Sequence, residues 1–205
     1  LNTGGMGTFS PSPFYTEEID TFCQKYIYQA TVDAMAAEGR TFKGIIFSGL
    51  MLTPKGPKVL ENNARFGDPE AQVVLPRMKT DIIEVMEACI DGTLDTVDLQ
   101  FEDNAAVCVV LASDGYPVHY DKGLEIRGLE QFEDKDGYYC FHAGTKLDEN
   151  GKFITNGGRV LGVTAKGADL KEARANAYAA TEWIDFDNKY MRHDIGKAID
   201  EVNGE

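Results

Sequence analysis

Residues 60–72 read LENNARFGDPEAQ, a short run that holds Glu61, Asn63, Arg65, Asp68 and Glu70 around Gly67 and Pro69. If Glu61 and Asn63 lie on a strand, alternation puts both on one face, where a carboxylate and an amide oxygen can grip one hard cation. Mg²⁺ takes oxygen ligands and is usually shared between one or two protein carboxylates and substrate phosphates. Arg65, two residues further along the same face, suits a bidentate contact with a phosphate oxygen. Together these groups form a positioned electrostatic clamp for phosphoryl transfer. The Gly-Asp-Pro turn would aim Asp68 and Glu70 back towards a small substrate. A solvated hairpin end has the same composition, so the surrounding sequence must decide.

The elements around the run fit a strand. FKGIIFSGLMLTPKGPKVLENNAR sets two apolar stretches on either side of TPKGP, a Pro- and Gly-rich turn. This predicts a hairpin of strands 43–52 and 57–65, joined by something other than the tightest two-residue turn. Glu61, Asn63 and Arg65 then share one face. Leu60, Asn62 and Ala64 share the other, where a buried Asn62 needs a hydrogen-bond partner or partial exposure. Upstream, Thr16 offers an N-cap, Glu17 and Glu18 occupy the first turn, and apolar residues recur at helical spacing up to Gly39. A helix over 16–38 follows. Downstream, helical structure is expected through PEAQVVLPRMKTDIIEVMEACIDG, split near Pro76, capped by Thr80 or Asp81, and stopped at Gly92.

The texture changes near residue 102. AAVCVVLA at 105–112 reads as a buried strand, with shorter strands at 122–127, 138–143 and 159–165, a hairpin turn in DENGK at 148–152, and a helix from Asp169 to about Ile184. Trp183 falls in that helical pattern as a core or near-core residue. A domain boundary is expected at 101–104, giving domains 1–102 and 103–205. The tail YMRHDIGKAIDEVNGE starts with apolar anchors and ends as a charged terminus; Arg192, His193 and Asp194 look like a catalytic cluster but better suit hydrogen bonds that hold the terminal segment.

At 205 residues, 43% hydrophobic and 26% charged, the chain can bury a substantial core. A formal net charge of −14 argues against a nucleic-acid or anionic-membrane surface while leaving room for a local anion pocket. No apolar run is long enough to span a bilayer, and residues 1–20 show no signal-peptide pattern. The chain begins LNTGGMG without Met and reads as a piece of a longer protein. Cys23, Cys89, Cys108 and Cys140 are far apart, with no CxxC, which suits four reduced thiols in a cytoplasmic protein rather than zinc ligands or a disulfide framework.

Six stretches together resemble one family. NTGGMGTFSP at 2–11, FKGIIFSGLM at 42–51, LENNARFGDPEAQ at 60–72, GYPVHYDKGLEIRGL at 115–129, GGRVLGVTAKG at 157–167 and MRHDIG at 191–196 look like the phosphoribosylamine–glycine ligases, or glycinamide ribonucleotide synthetases, of the ATP-grasp superfamily. The resemblance covers nearly the whole chain, and RFGDPE is its most specific motif. It departs at Asn62, where the family usually has an aromatic or other apolar residue, and at Phe42 and Phe47, where tyrosine is common.

The resemblance implies an α+β fold. The second half of an ATP-grasp domain, an antiparallel sheet with helices, would be followed by a small β-rich, barrel-like domain with a helix. It implies a reaction in de novo purine synthesis that joins glycine to 5-phosphoribosylamine. ATP phosphorylates the glycine carboxylate, and the amine attacks the acyl phosphate. Glu61 and Asn63 match the Mg²⁺ or Mn²⁺ ligands, and Arg65 the contact to the transferred phosphate. Asp68 and Glu70 would hold the glycine ammonium or fix the turn. Gly4, Gly5 and Gly7 would either let backbone amides approach an anionic substrate or form a turn only. Lys122 and Arg159 are basic residues in matching stretches without an assigned place. The parts that hold adenine and most of the phosphates lie upstream of NTGGMG in the family. The chain is therefore expected to need them for catalysis.

Overall fold

A computed structural model describes residues 1–202, with side chains to Asp200. Positions 203–205, the end of the charged tail, lie outside the described residues. The chain forms two compact units, one from Leu1–Pro11, Asp68–Arg77 and the described part of 102–205, the other from Ser12–Gly67 and Met78–Phe101. A single cut at 102/103 therefore does not follow this division, because two short early segments join the later part of the chain.

In the first unit the strands are β1 (Gly7–Ser10), β4 (Ala105–Ser113), β5 (Tyr138–His142), β8 (Arg159–Gly167) and β9 (Lys189–Tyr190); β2 (Phe47–Thr53) and β3 (Gly56–Asn63) belong to the second unit, and β6 (Thr145–Leu147) and β7 (Phe153–Thr155) form a separate hairpin. The sheet order is β1-β4-β8-β5, with β9 also on β4, and the pairings are antiparallel. The strand path is open, and no pairing closes it among the described residues. Every residue of β4 is buried, as its unbroken apolar run requires of a strand covered on both sides. Helix α5 (Leu170–Thr181) covers one face. Its small residues Ala173 and Ala177 pack on Val107, Val109 and Ala165, so the helix backbone can approach the sheet closely. Asp169 caps the helix, its side chain accepting from Glu172 N at 2.8 Å. On the other face α3 (Ala71–Val74) brings Val73 onto Ala106 and Cys108.

Two early segments are tied in by specific bonds. β1 pairs with β4, Gly7 opposite Val109. Arg77, at the end of a 3₁₀ turn (Leu75–Arg77), donates to Asn104 O at 2.8 Å, to Glu102 O at 3.1 Å and to Ser10 Oγ at 2.7 Å. Trp183 is half-buried, packed edge-on to Phe132 and beside Tyr138, near the core as its position suggested.

The segment 122–127 is not a strand. It runs beside β7, with Gly123 N bonding Thr155 O, Thr155 N bonding Leu124 O and Ile126 N bonding Phe153 O, but its bridges stay isolated, Glu125 to Ile154 and Arg127 to Asp185. Gly123 and Gly128, both at positive φ, bracket it, and Arg127 turns away from β7 to bond Asp185. A ladder has no room to propagate between those two glycines. β6 and β7 do form the hairpin around DENGK, with Asp148 Oδ1 accepting from the amides of Asn150 and Lys152.

In the second unit α1 (Glu17–Cys23), a π-helical turn (Gln24–Tyr28) and α2 (Gln29–Ala37) run on as one rod from a Thr16 cap to Gly39 at φ +73°. In the wider middle turn Gln29 N bonds Gln24 O, five residues back, which residue types alone do not mark. α4 (Ile82–Asp91) is capped by Asp81, whose Oδ1 accepts from Ile83 N at 2.8 Å, and ends at Gly92 at φ +77°. Thr80 bonds the 98–100 segment instead. β2 (Phe47–Thr53) and β3 (Gly56–Asn63) form the expected hairpin as a two-stranded antiparallel sheet, but 43–46, with Gly44 at φ +136°, and 64–65 lie outside the strands. Its turn is tighter than expected. Thr53 pairs with Gly56, leaving only Pro54 and Lys55 in the loop, because Gly56 adopts φ +89° and Thr53 Oγ1 bonds both Gly56 O and Lys55 N.

Among the described residues all four cysteines are free; Cys23 and Cys108 are buried. Burial pushes the thiols of Cys108 and Cys140 up to about 12, so neither is a thiolate nucleophile at neutral pH.

Candidate active site

The second unit brings Glu61, Asn63 and Arg65 together. β3 carries Glu61 and Asn63, and Arg65 follows at the strand's end. Asn63 Nδ2 donates to Glu61 Oε1 at 3.2 Å, and Arg65 donates to Asn63 Oδ1 at 3.2 Å and to Phe66 O at 2.7 Å. Strand alternation explains the row. A bulge sharpens it: Gly49 pairs with Glu61 but Leu50 pairs with Val59, so Leu60 is an extra residue on β3. Bulges of this kind re-aim the side chains that follow them. Gly49 matters too, because a Cβ there would stand 3.3 Å from Glu61 Cγ.

On the opposite side of β3, Ser48 donates to Asn62 Oδ1 at 2.7 Å, and Asn62 is exposed. The polar Asn62 is thus both bonded and solvated. The face expected to be buried is open instead: Leu60 is 65% exposed, since β2 and β3 make a two-stranded sheet.

The donor set suits a hard cation that brings some of its own ligands. Glu61 supplies a carboxylate and Asn63 an amide oxygen, adjacent on one exposed strand. Among the described residues no three His, Cys, Asp or Glu side chains cluster as a complete cage. Mg²⁺ is commonly held by one or two protein groups and completed by phosphate and water, and the residues present fit that pattern.

The first unit holds the remaining candidates. Arg159, at the start of β8, donates through one terminal nitrogen to Gly5 O at 3.1 Å and Asp68 O at 2.9 Å, and through the other to Asp68 Oδ2 at 2.8 Å. The second Asp68 carboxylate oxygen accepts from Gln72 Nε2 at 3.2 Å. Gly4 N donates to the Tyr116 hydroxyl at 3.2 Å. The three glycines of NTGGMG each have an internal reason. A Cβ on Gly4 would lie 3.0 Å from Arg159 Cζ, on Gly5 2.5 Å from Pro69 Cδ, and on Gly7 2.7 Å from Ile195. Glu70 is half-buried at the start of α3, and its side chain has no hydrogen bond or ion pair among the described residues. Arg159 and Tyr116 were not placed by the sequence. The only signal was the glycine pair before Arg159, and Gly158 is indeed what admits the Tyr116 ring, 2.0 Å from where its Cβ would be.

Other singled-out residues have structural partners. Arg192 pairs with Asp194, Nε to Oδ1 at 2.7 Å, and Tyr178 OH bonds Arg192 O and Ile195 N, holding the terminal segment. Lys122 lies over the Tyr120 ring.

Comparison with known proteins agrees with the fold. Residues 1–71 match the family model described as phosphoribosylglycinamide synthetase, ATP-grasp (A) domain, and residues 106–198 match phosphoribosylglycinamide synthetase, C domain. The chain is 48% identical over 194 residues to the phosphoribosylamine–glycine ligase of Caldanaerobacter subterraneus subsp. tengcongensis, covering 95% of this chain and 46% of the relative. To the enzyme of Synechocystis it is 50% identical over 198 residues, covering 96% of this chain and 47% of the relative. The crystal structure of phosphoribosylamine–glycine ligase from Thermotoga maritima superposes with a TM-score of 0.80 at 33% identity, covering 95% of this chain and 47% of that one. The biotin carboxylase domain of Hydrogenobacter thermophilus 2-oxoglutarate carboxylase, solved with MgADP and bicarbonate, shares the fold at a TM-score of 0.60 and 17% identity, over 91% of this chain and 40% of that one. The chain spans about half the length of the curated relatives it matches. On these matches, which together take in most of the sequence, the chain belongs to the phosphoribosylglycinamide synthetase family.

Proposed function

We propose that this chain supplies the metal and phosphoryl-transfer residues of an ATP-dependent ligase that joins glycine to 5-phosphoribosylamine, giving glycinamide ribonucleotide, ADP and phosphate in purine biosynthesis. Residues 1–102 are read as the end of its ATP-grasp domain and 103–205 as its carboxy-terminal domain. The observation that carries the proposal is the hydrogen-bonded row of Glu61 and Asn63 on β3 and Arg65 just beyond it, in a chain of this family. A cytoplasmic setting is part of the same proposal, and among the described residues no helix is long and apolar enough to cross a membrane.

Glu61 and Asn63 would hold Mg²⁺ or Mn²⁺, which neutralises developing charge on the phosphates when bound. Arg65 would meet the transferred phosphoryl group and, being permanently charged, stabilise it without any proton transfer. A glycine carboxylate oxygen attacks the γ-phosphorus and ADP departs. The amine of phosphoribosylamine then attacks the acyl carbon, and phosphate leaves with that carboxylate oxygen. Asp68, Glu70 and the loop of Gly4, Gly5 and Gly7 are assigned to the substrate end. Glu70, a carboxylate without a partner among the described residues, is suited to the glycine ammonium. Asp68, bonded through both oxygens, is suited to shaping the turn.

The test uses the parent enzyme with its preceding sequence. ADP release is measured with ATP, Mg²⁺, glycine and phosphoribosylamine, omitting each in turn, and the product is identified by mass. Turnover that requires both glycine and the amine supports the proposal. Turnover with a different carboxylate, or no turnover with these substrates, refutes it.

A further inference from the structure

Arg159 joins two stretches that are far from it in sequence, the Gly4–Gly5 loop and the Asp68–Pro69 turn. It sits in the part of the chain that matches the C domain, whereas both partners lie in the part that matches the ATP-grasp domain. All three lie in one compact unit. Its guanidinium bonds Gly5 O, Asp68 O and Asp68 Oδ2, and its side chain is 22% exposed. Gly4 lies against the guanidinium, where a Cβ would press on Arg159 Cζ at 3.0 Å, and Gly5 lies against the Pro69 ring, where a Cβ would clash with Cδ at 2.5 Å.

We propose that Arg159 is a positioning residue for the ligase reaction, a latch by which the C domain fixes the Gly4–Gly5 loop and the Asp68–Pro69 turn. The proposal rests on the ligase reading above. The planar fork of arginine reaches two carbonyls and a carboxylate at once, which a lysine ammonium on a flexible stem cannot reproduce with the same geometry. The bonds to backbone carbonyls fix the course of the chain itself, on both sides of the junction. NTGGMG thus owes its two leading glycines to this latch and to Pro69. Reacting groups must be held within fractions of an ångström, and a misplacement of about 1 Å costs on the order of 100-fold in rate.

Two measurements test it. In the parent enzyme, Arg159→Met is expected to lower kcat about 100-fold while KM for ATP stays within about twofold, and Arg159→Lys to recover about tenfold of that loss. In the 205-residue chain, hydrogen exchange at Gly4–Met6 is expected to speed up at least about tenfold in Arg159→Met, with Val107–Leu111 in β4 unchanged. Unchanged kcat in Arg159→Met overturns the proposal, as does unchanged exchange at the loop, or a lysine variant as impaired as the methionine one. If Arg159→Met fails to fold, Arg159→Lys carries the test, and full activity with wild-type loop exchange there overturns the proposal. If the wild-type parent shows no glycine-dependent turnover, the ligase reading fails and the exchange measurement alone decides the latch.

Discussion

Replacing Glu61 by alanine in the parent enzyme is expected to lower kcat by about 10²–10³-fold and to raise the Mg²⁺ concentration needed for half-maximal rate. Glu61 contributes the only carboxylate in the β3 row, so its loss leaves the amide of Asn63 to hold the cation without a protein charge beside it. Binding of ATP itself should change less, because in this reading most of the nucleotide is held elsewhere in the parent. Glu61→Gln separates the two contributions. It keeps the size and an acceptor oxygen for Asn63 Nδ2 while removing the charge, so a loss close to that of alanine assigns the effect to metal binding. A loss much smaller than alanine's would assign it to the hydrogen-bonded row. Steady-state rates across a Mg²⁺ titration read both quantities. A fully active Glu61→Ala enzyme would remove β3 from the metal site.

The largest effect on folding is expected at Gly128. Its φ of +91° is disfavoured for any residue with a side chain, and an added Cβ would lie 1.8 Å from the carbonyl oxygen of Trp183. That oxygen accepts from Gln131 Nε2 at 3.1 Å, and the next residue, Ile184, is fully buried. The carbonyl cannot retreat without moving core. Gly128→Ala should therefore cost about 3 kcal/mol or more, part from backbone strain and the rest from the clash. In a domain of this size that corresponds to a fall in Tm on the order of 10 °C. Gly151 is the control: its φ is +79°, but no atom lies within 4 Å of an added Cβ. Gly151→Ala should show the backbone cost alone, about 1–2 kcal/mol. Thermal melts of the 205-residue chain distinguish the two, and equal losses would contradict the steric account.

Local chemistry made much of this legible in sequence. Thr16 and Asp81, one of two candidates with Thr80, cap the helices they precede, because a short polar side chain before an apolar period suits that use. The β4 run and the alternation of Glu61, Asn63 and Arg65 follow from residue type and spacing alone. What stayed hidden depends on contacts distant in sequence. The 122–127 segment has strand composition, but Gly123, Gly128 and the pull of Asp185 on Arg127 break the ladder. The pairing of β1 with β4 joins residues about a hundred positions apart and draws the first residues of the chain into the later part. Asp68 reads as an acid free to act, yet Arg159 and Gln72 occupy both of its oxygens. The glycines of NTGGMG look like room for a ligand, but the sequence does not show that Arg159, Pro69 and Ile195 stand where their side chains would be.

The central claim is that Glu61, Asn63 and Arg65 serve phosphoryl transfer to the carboxylate of glycine. The most direct measurement follows an oxygen atom. The parent enzyme is given glycine labelled with ¹⁸O in its carboxylate, together with ATP, Mg²⁺ and phosphoribosylamine, and the released phosphate is examined by mass or by ³¹P isotope shift. If the carboxylate attacks the γ-phosphorus and the amine then displaces phosphate from the acyl carbon, each phosphate formed carries one ¹⁸O from glycine, while the ADP carries none. Phosphate free of label, formed at the same rate as ADP, would show that the carboxylate is never phosphorylated and would contradict the account.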